Sequence, residues 1–127
     1  MFNLDKAFGI HAQALTARAA RAEVLATNLA NSDTPGYQAR DLDFSTLFSN
    51  AGVSLSRTAS GHVGGRTESV AGARLVYRTP MQASLDQNTV DPQEEHGRFM
   101  QNALQYEASV RLLNGRISGL LSAIRGE

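Results

Sequence analysis

Residues 91–124 read DPQEEHGRFMQNALQYEASVRLLNGRISGLLSAI, and this stretch decides the fold. Asp91 is placed as an N-cap, Pro92 at the first helical position and Glu94 at the third. That order opens a helix, because the aspartate side chain accepts from orphan backbone amides and proline presets the first φ. From there Phe99, Ala103, Tyr106, Val110, Leu113, Ile117, Leu120 and Ile124 recur at alternating steps of four and three. Such spacing is a heptad seam. A helix of this length would run about 50 Å at ~1.5 Å rise per residue. A second apolar row, Met100, Leu104, Ala108, Leu112, Gly115 and Gly119, lies beside the first, and Leu121 widens the primary seam. The two glycines weaken the last turns by about 1 kcal/mol each relative to alanine. Their spacing also forms a shallow strip on which another helix can lie closely.

The other end of the chain answers with a similar pattern. Leu4, Phe8, His11, Leu15, Arg18, Ala22, Leu25 and Leu29 form a heptad line with His11 and Arg18 as polar intruders. Alanine fills much of the remainder, and it is the strongest helix former because its side chain loses no entropy. The spacing predicts a helix over residues 4 to 31. It must end before Pro35, since the residue ahead of a proline is pushed out of helical geometry. Thr34-Pro35-Gly36-Tyr37 fits a type II turn, with proline at the first central position and glycine at the one that needs a positive φ.

Between the ends the signal weakens. Residues 38–48 read as extended and then as a helical turn. Residues 49–72 are rich in glycine and serine and predict a mobile or looping excursion, because they offer too little apolar area to offset their ordering entropy. Residues 73–79, Ala-Arg-Leu-Val-Tyr-Arg-Thr, predict a short strand that Pro80 ends. The expected organisation is residues 1–37 as the first helix and its turn, 38–90 as a flexible middle, and 91–127 as the second helix. The two ends form one discontinuous helical domain. The fold class is mainly α: two long helices paired as a hairpin or coiled coil, with a partly disordered or short-β middle.

Composition narrows the function by exclusion. The 127 residues carry no formal net charge and no cysteine. Balanced charge gives no electrostatic case for nucleic acid, and without cysteine there is no thiol chemistry or cysteine-liganded zinc. The first residues resemble no cleavable secretory signal, and no run approaches the ~20 apolar residues of a membrane helix. Alone, that points to the cytoplasm, unless export reads an uncleaved segment. His11, His62 and His96 share no ligand spacing. Glu94 and Glu95 point about 100° apart on a helix and are better explained by capping and the helix dipole than as a catalytic pair. Asp41 and Asp43 read as solvated or arginine-paired carboxylates. The glycine-rich stretch at 60–66 lacks the Lys-Ser/Thr ending of a phosphate loop. No cofactor or metal is expected.

A two-helix hairpin packs leucine against leucine along one seam and buries only one of the apolar rows on residues 91–124. The other stays in water at a cost near 25 cal/mol per Å². Exposed stripes of that kind mark interaction surfaces. The expected assembly residues are therefore Leu4, Phe8, Leu15, Ala22, Leu25, Leu29, Phe99, Ala103, Leu104, Tyr106, Val110, Leu112, Leu113, Ile117, Leu120 and Ile124.

Residues 26–37, Ala-Thr-Asn-Leu-Ala-Asn-Ser-Asp-Thr-Pro-Gly-Tyr, closely resemble the signature of flagellar rod and hook subunits. Asn28, Asn31, Thr34, Pro35, Gly36 and Tyr37 carry that turn motif. The continuation through Phe44 is similar to the proximal rod subunits. So are Tyr77-Arg78-Thr79-Pro80, Asn88-Thr89-Val90-Asp91, and Asn102 to Tyr106 through Leu112-Leu113. The likeness covers residues 1–48 and 75–125. It implies terminal helices packed around the channel of a rod, with copies of itself and other rod subunits as partners. Proteins at the junction of the MS-ring and export gate are implied neighbours. The implied route is the flagellar type III apparatus, without a cleaved signal, into the periplasm-spanning basal body. Phe44 and Phe48 match a Phe-x-x-x-hydrophobic pattern similar to an export-gate element, though they serve equally as packing residues. No nucleic acid and no direct membrane insertion are implied. The expectation is a structural subunit and not an enzyme; the alternative is a cytoplasmic coiled-coil adaptor or export chaperone.

Overall fold

The computed structural model describes residues 4–45, 47, 69–70, 72–80 and 82–126. Helix α1 spans Leu4–Ala30, strand β1 Arg40–Asp43, β2 Ser69–Val70, β3 Ala73–Tyr77, and helix α2 Pro92–Arg125. The architecture is mainly helical with a small central sheet, as the sequence predicts.

Local chemistry explains where these elements begin and end. Asp91 sits in extended geometry and its side chain accepts from the amides of Gln93 and Glu94, with Pro92 opening the helix. Gly126 closes α2 in the left-handed region at φ 74°, its amide donating to the Ser122 carbonyl at 3.0 Å. Past α1 the chain turns on Gly36, whose φ of 73° is the value the second central position of a type II turn requires. The Tyr37 amide donates back to the Thr34 carbonyl at 3.3 Å.

The strands form an antiparallel sheet in the order β1-β3-β2. Leu42 stands opposite Leu75, and Arg40 opposite Tyr77. Val70 stands opposite Ala73, so β2 and β3 close a tight hairpin with Gly72 at φ 80°. Leu47 packs over this turn, where a Cβ on Gly72 would come within 3.0 Å of Leu47 Cδ2. Reading 49–72 as an excursion thus fails at its end: Ser69, Val70 and Gly72 belong to the hairpin. The earlier part of that stretch, residues 49–68, lies outside the described residues.

The helices run antiparallel. Asn28 near the end of α1 bonds to Glu95 at the start of α2, while Arg18 reaches Gln105. Among the described residues few large apolar side chains are buried: their apolar core is Ala17, Leu25, Ala39, Leu42 and Ala73. Asn28, Asp41, Asn88, Glu95 and Asn102 are buried with them. Because α1 packs against both β1 and α2, its deepest face follows Ala17, Leu25 and Asn28. Leu15, Ala22 and Leu29, on the expected seam, are half-buried beside that face.

Candidate assembly interface and the polar node beneath it

The centre of the molecule is polar. Asn28 uses its whole amide: Nδ2 donates to the Arg40 carbonyl at 2.7 Å and to Glu95 Oε2 at 3.0 Å. Its Oδ1 accepts from the Arg40 amide at 3.0 Å and the Tyr37 hydroxyl at 3.3 Å. One residue of α1 thereby fixes the turn, strand β1 and the start of α2. Thr34 Oγ1 donates to Asn31 Oδ1 at 3.2 Å, which braces the turn from outside.

Asn88 performs the matching task from the far side. Its Nδ2 donates to the carbonyls of Asn31, Ser32 and Thr34 at 3.1, 2.8 and 2.9 Å. These carbonyls lie in the turn just past Ala30, so this amide ties the exit of α1 to the segment that precedes α2. Beside it, the Thr89 amide donates to the Tyr37 carbonyl at 3.0 Å and Thr89 Oγ1 accepts from the Ala39 amide at 2.7 Å. The Gly36 amide donates to the Asp86 carbonyl at 2.8 Å. The Pro-Gly turn and residues 86–89 are therefore one unit.

Beneath the sheet lies an ionic cluster. Arg21 grips Asp41 with two parallel bonds, Nε to Oδ1 at 2.8 Å and Nη2 to Oδ2 at 3.0 Å. Arg78 Nη2 donates to Asp41 Oδ2 at 3.1 Å, and its Nη1 pairs with Glu95 Oε1. Arg98 approaches Asp41 at 3.8 Å and bonds Glu94 through Nε at 3.0 Å. Burial alone would raise the Asp41 carboxyl. The Arg21 hydrogen bonds and charge, the Leu42 amide and the Arg78 charge outweigh it and hold the group below its ordinary value. Burial pushes the Arg78 guanidinium down, and the nearby Arg98 charge adds to that, against the attraction of Asp41 and Glu94. Burial lowers Arg18 likewise, with Arg21 as the second cause.

Both oxygens of Asp41 and of Glu95 are engaged by donors. None of these four oxygens is free for acid–base chemistry, and among the described residues no cluster of His, Cys, Asp or Glu could hold a metal ion. A cleft of about 1060 Å³ opens beside the node between Val76–Pro80 and Val90–Arg98, but its Arg78, Arg98 and Glu94 are already paired with one another and with Asp41. The node holds shape.

Phe44 sits half-buried with the guanidinium groups of Arg18 and Arg21 at 5.9 and 5.8 Å from its ring centroid. Phe48 lies outside the described residues, as do the side chain of Leu4 and residues 1–3. Phe8, Phe99, Val110, Leu113 and Leu120 are half-buried. Tyr106 and Ile117 lie at the margin, 41% and 40% exposed. Ala103 and Ile124 face outward. Among the described residues nothing covers the second row: Met100, Leu104 and Leu112 are 64%, 67% and 63% exposed, and Leu121, beside the first row, is exposed as well. Nothing comes within 4 Å of a Cβ placed on Gly115 or Gly119.

Reading the sequence by apolar period missed Arg21, Arg78, Asn88, Glu95 and Asn102. Glu95, expected as a capping or dipole residue, is the correction: it is 1% exposed and ion-paired. The discriminating partner, Arg78, comes from a separate element, which a local pattern cannot reveal. Asp41 is arginine-paired, one of the two states expected for it.

The family model described as flagella basal body rod protein matches residues 8–38, which contain most of α1 and the turn. A flagellar basal body rod protein FlgB of Aeromonas hydrophila is 45% identical over 130 residues, covering 98% of this chain and 97% of that protein. FlgB of Escherichia coli K12 is 41% identical, over 96% of this chain and 95% of that one. FlgB of Cereibacter sphaeroides ATCC 17029 is 44% identical, over 94% of each. These likenesses span both helices, the turn and the polar node, and the chain belongs to the FlgB family of flagellar basal body rod proteins, a structural subunit of the rod and not an enzyme.

Proposed function

We propose that the chain polymerises in the proximal part of the rod through its two terminal helices, with copies of itself and other rod subunits covering the apolar rows of α2. The observation that carries this reading is the exposure of Met100, Leu104 and Leu112 along the second row of α2. Fully burying a leucine is worth about 1.5–3 kcal/mol, so covering this row would stabilise each subunit by roughly 5 kcal/mol. Leu4, Phe8, Leu15, Ala22, Leu25, Leu29, Phe99, Ala103, Tyr106, Val110, Leu113, Ile117, Leu120 and Ile124 complete the proposed helix-packing surface. The open strip at Gly115 and Gly119 lets a neighbouring backbone approach.

The same reading places the subunit across the periplasm, next to the MS-ring and export gate. It leaves the cytoplasm through the flagellar type III apparatus without a cleaved signal, with Phe44 and Phe48 as the export element. Among the described residues no helix is long and apolar enough to cross a membrane.

The test is the double variant Leu104→Asp/Leu112→Asp. Both side chains already face water, so the isolated chain should fold as before. The variant should be made at normal levels yet be missing from purified basal bodies, with motility lost. Wild-type incorporation would contradict the proposal.

A further inference from the structure

We propose that the buried polar contacts between α1 and α2 set the axial register in which the two helices pair. The apolar pattern does this only weakly. On α2, Phe99, Tyr106, Leu113 and Leu120 lie one heptad apart, as do Ala103, Val110, Ile117 and Ile124. On α1, Phe8, Leu15, Ala22 and Leu29 repeat likewise, while Leu4, His11, Arg18 and Leu25 form a second line that mixes apolar and polar residues. Sliding one helix past the other by a heptad therefore exchanges apolar for apolar along three of these four lines, and only the buried Leu25, replaced by Arg18 or Ser32, opposes it.

The polar contacts do not repeat. Glu95 and Asn102 are one heptad apart and are the two buried residues of α2. Glu95 meets the Asn28 amide and the Arg78 guanidinium. Asn102 Nδ2 donates to the Arg18 carbonyl at 2.9 Å, and Arg18 Nη1 donates to Gln105 Oε1 at 2.6 Å. A slip of one heptad brings Glu95 or Ser109 to the place of Asn102 and parts Glu95 from both of its partners. A buried carboxylate without a cation or donor is strongly disfavoured, so one register is selected. A single buried polar residue is known to specify register in helical pairs in the same way. A slip must also release Asn88 and Thr89 from the turn after α1, and residues 79–90, which contain no helix or strand among those described, are then long enough to absorb the ~10 Å it requires. The inference concerns pairing within one chain and does not depend on what covers the exposed rows.

Because the chain has no cysteine, spin labels can be placed cleanly at Glu23→Cys and Ser118→Cys, both exposed. These sites are well separated along the helix axis, so a heptad slip shifts their distance by about 10 Å. In the purified chain the otherwise native sequence should give one distance by pulsed electron resonance. Adding Asn28→Leu/Glu95→Leu/Asn102→Leu should keep the helical circular dichroism and add populations about 10 Å longer or shorter. The parent distance alone, at its original width, would overturn the proposal. If the triple variant loses its helices, Asn28→Ala/Glu95→Ala/Asn102→Ala decides, since alanine removes the same contacts without overfilling the interface. A shifted population in that variant supports register selection, and the parent distance alone, or loss of helix there too, overturns it.

Discussion

Asp41 shows how much of this molecule depends on single polar groups. Its carboxylate balances Arg21 and Arg78 in a space that is nearly closed to solvent. Asp41→Asn leaves both guanidinium groups short of a counter-ion, and removing one partner of a buried pair should lower the unfolding free energy by about 3 kcal/mol. The carboxyl is held below its ordinary value in the folded chain. Its contribution is therefore complete above the unfolded value of about pH 4 and is lost as pH falls through the folded one. Urea titrations at neutral pH and near pH 3 should show the parent losing part of this stability in acid, while Asp41→Asn, already lacking it, loses less. At this scale the sequence announces some residues and conceals others. Asp91 and Gly36 sit in local patterns whose geometry follows from bonded neighbours, and the structure uses them as those patterns require. Glu95 and Asn88 find their partners in distant segments, so their neighbours in the chain say nothing of their burial.

At the scale of elements, the helices follow from periodicity and capping. The stop of α2 at Arg125 follows from the left-handed Gly126, two residues past the end of the heptad run at Ile124. The deep face of α1 was less legible. A hydrophobic period finds the line of large apolar residues, whereas α1 turns small and polar ones, Ala17 and Asn28, toward two different neighbours. The hairpin of β2 and β3 was hidden because Ser69, Val70 and Gly72 lie at the edge of a polar, glycine-rich stretch. The glycines of α2 make a prediction that separates helix stability from packing. Gly119→Ala should raise the stability of the isolated helix by roughly 0.5–1 kcal/mol, read from thermal melts by circular dichroism. Gly119→Leu should also stabilise the helix, since nothing crowds a Cβ there, yet it should block incorporation into the rod if a neighbouring helix lies on that strip. Basal-body yield from cells carrying each variant distinguishes the two effects.

At the scale of the whole molecule, a small head of sheet, turn and ion pairs holds the bases of two long helices, and α2 carries an apolar row that the other described residues leave uncovered. The polar head gives orientation, since hydrogen bonds and ion pairs are directional where apolar contact is not. On the proposed reading, the uncovered row supplies the adhesion between subunits. The most direct test of that division uses Leu112→Cys, the sole cysteine in the chain, and its rate of maleimide labelling followed by mass on this subunit. The account predicts rapid labelling of the free chain and strong protection in purified basal bodies. Equal labelling in both states would contradict it.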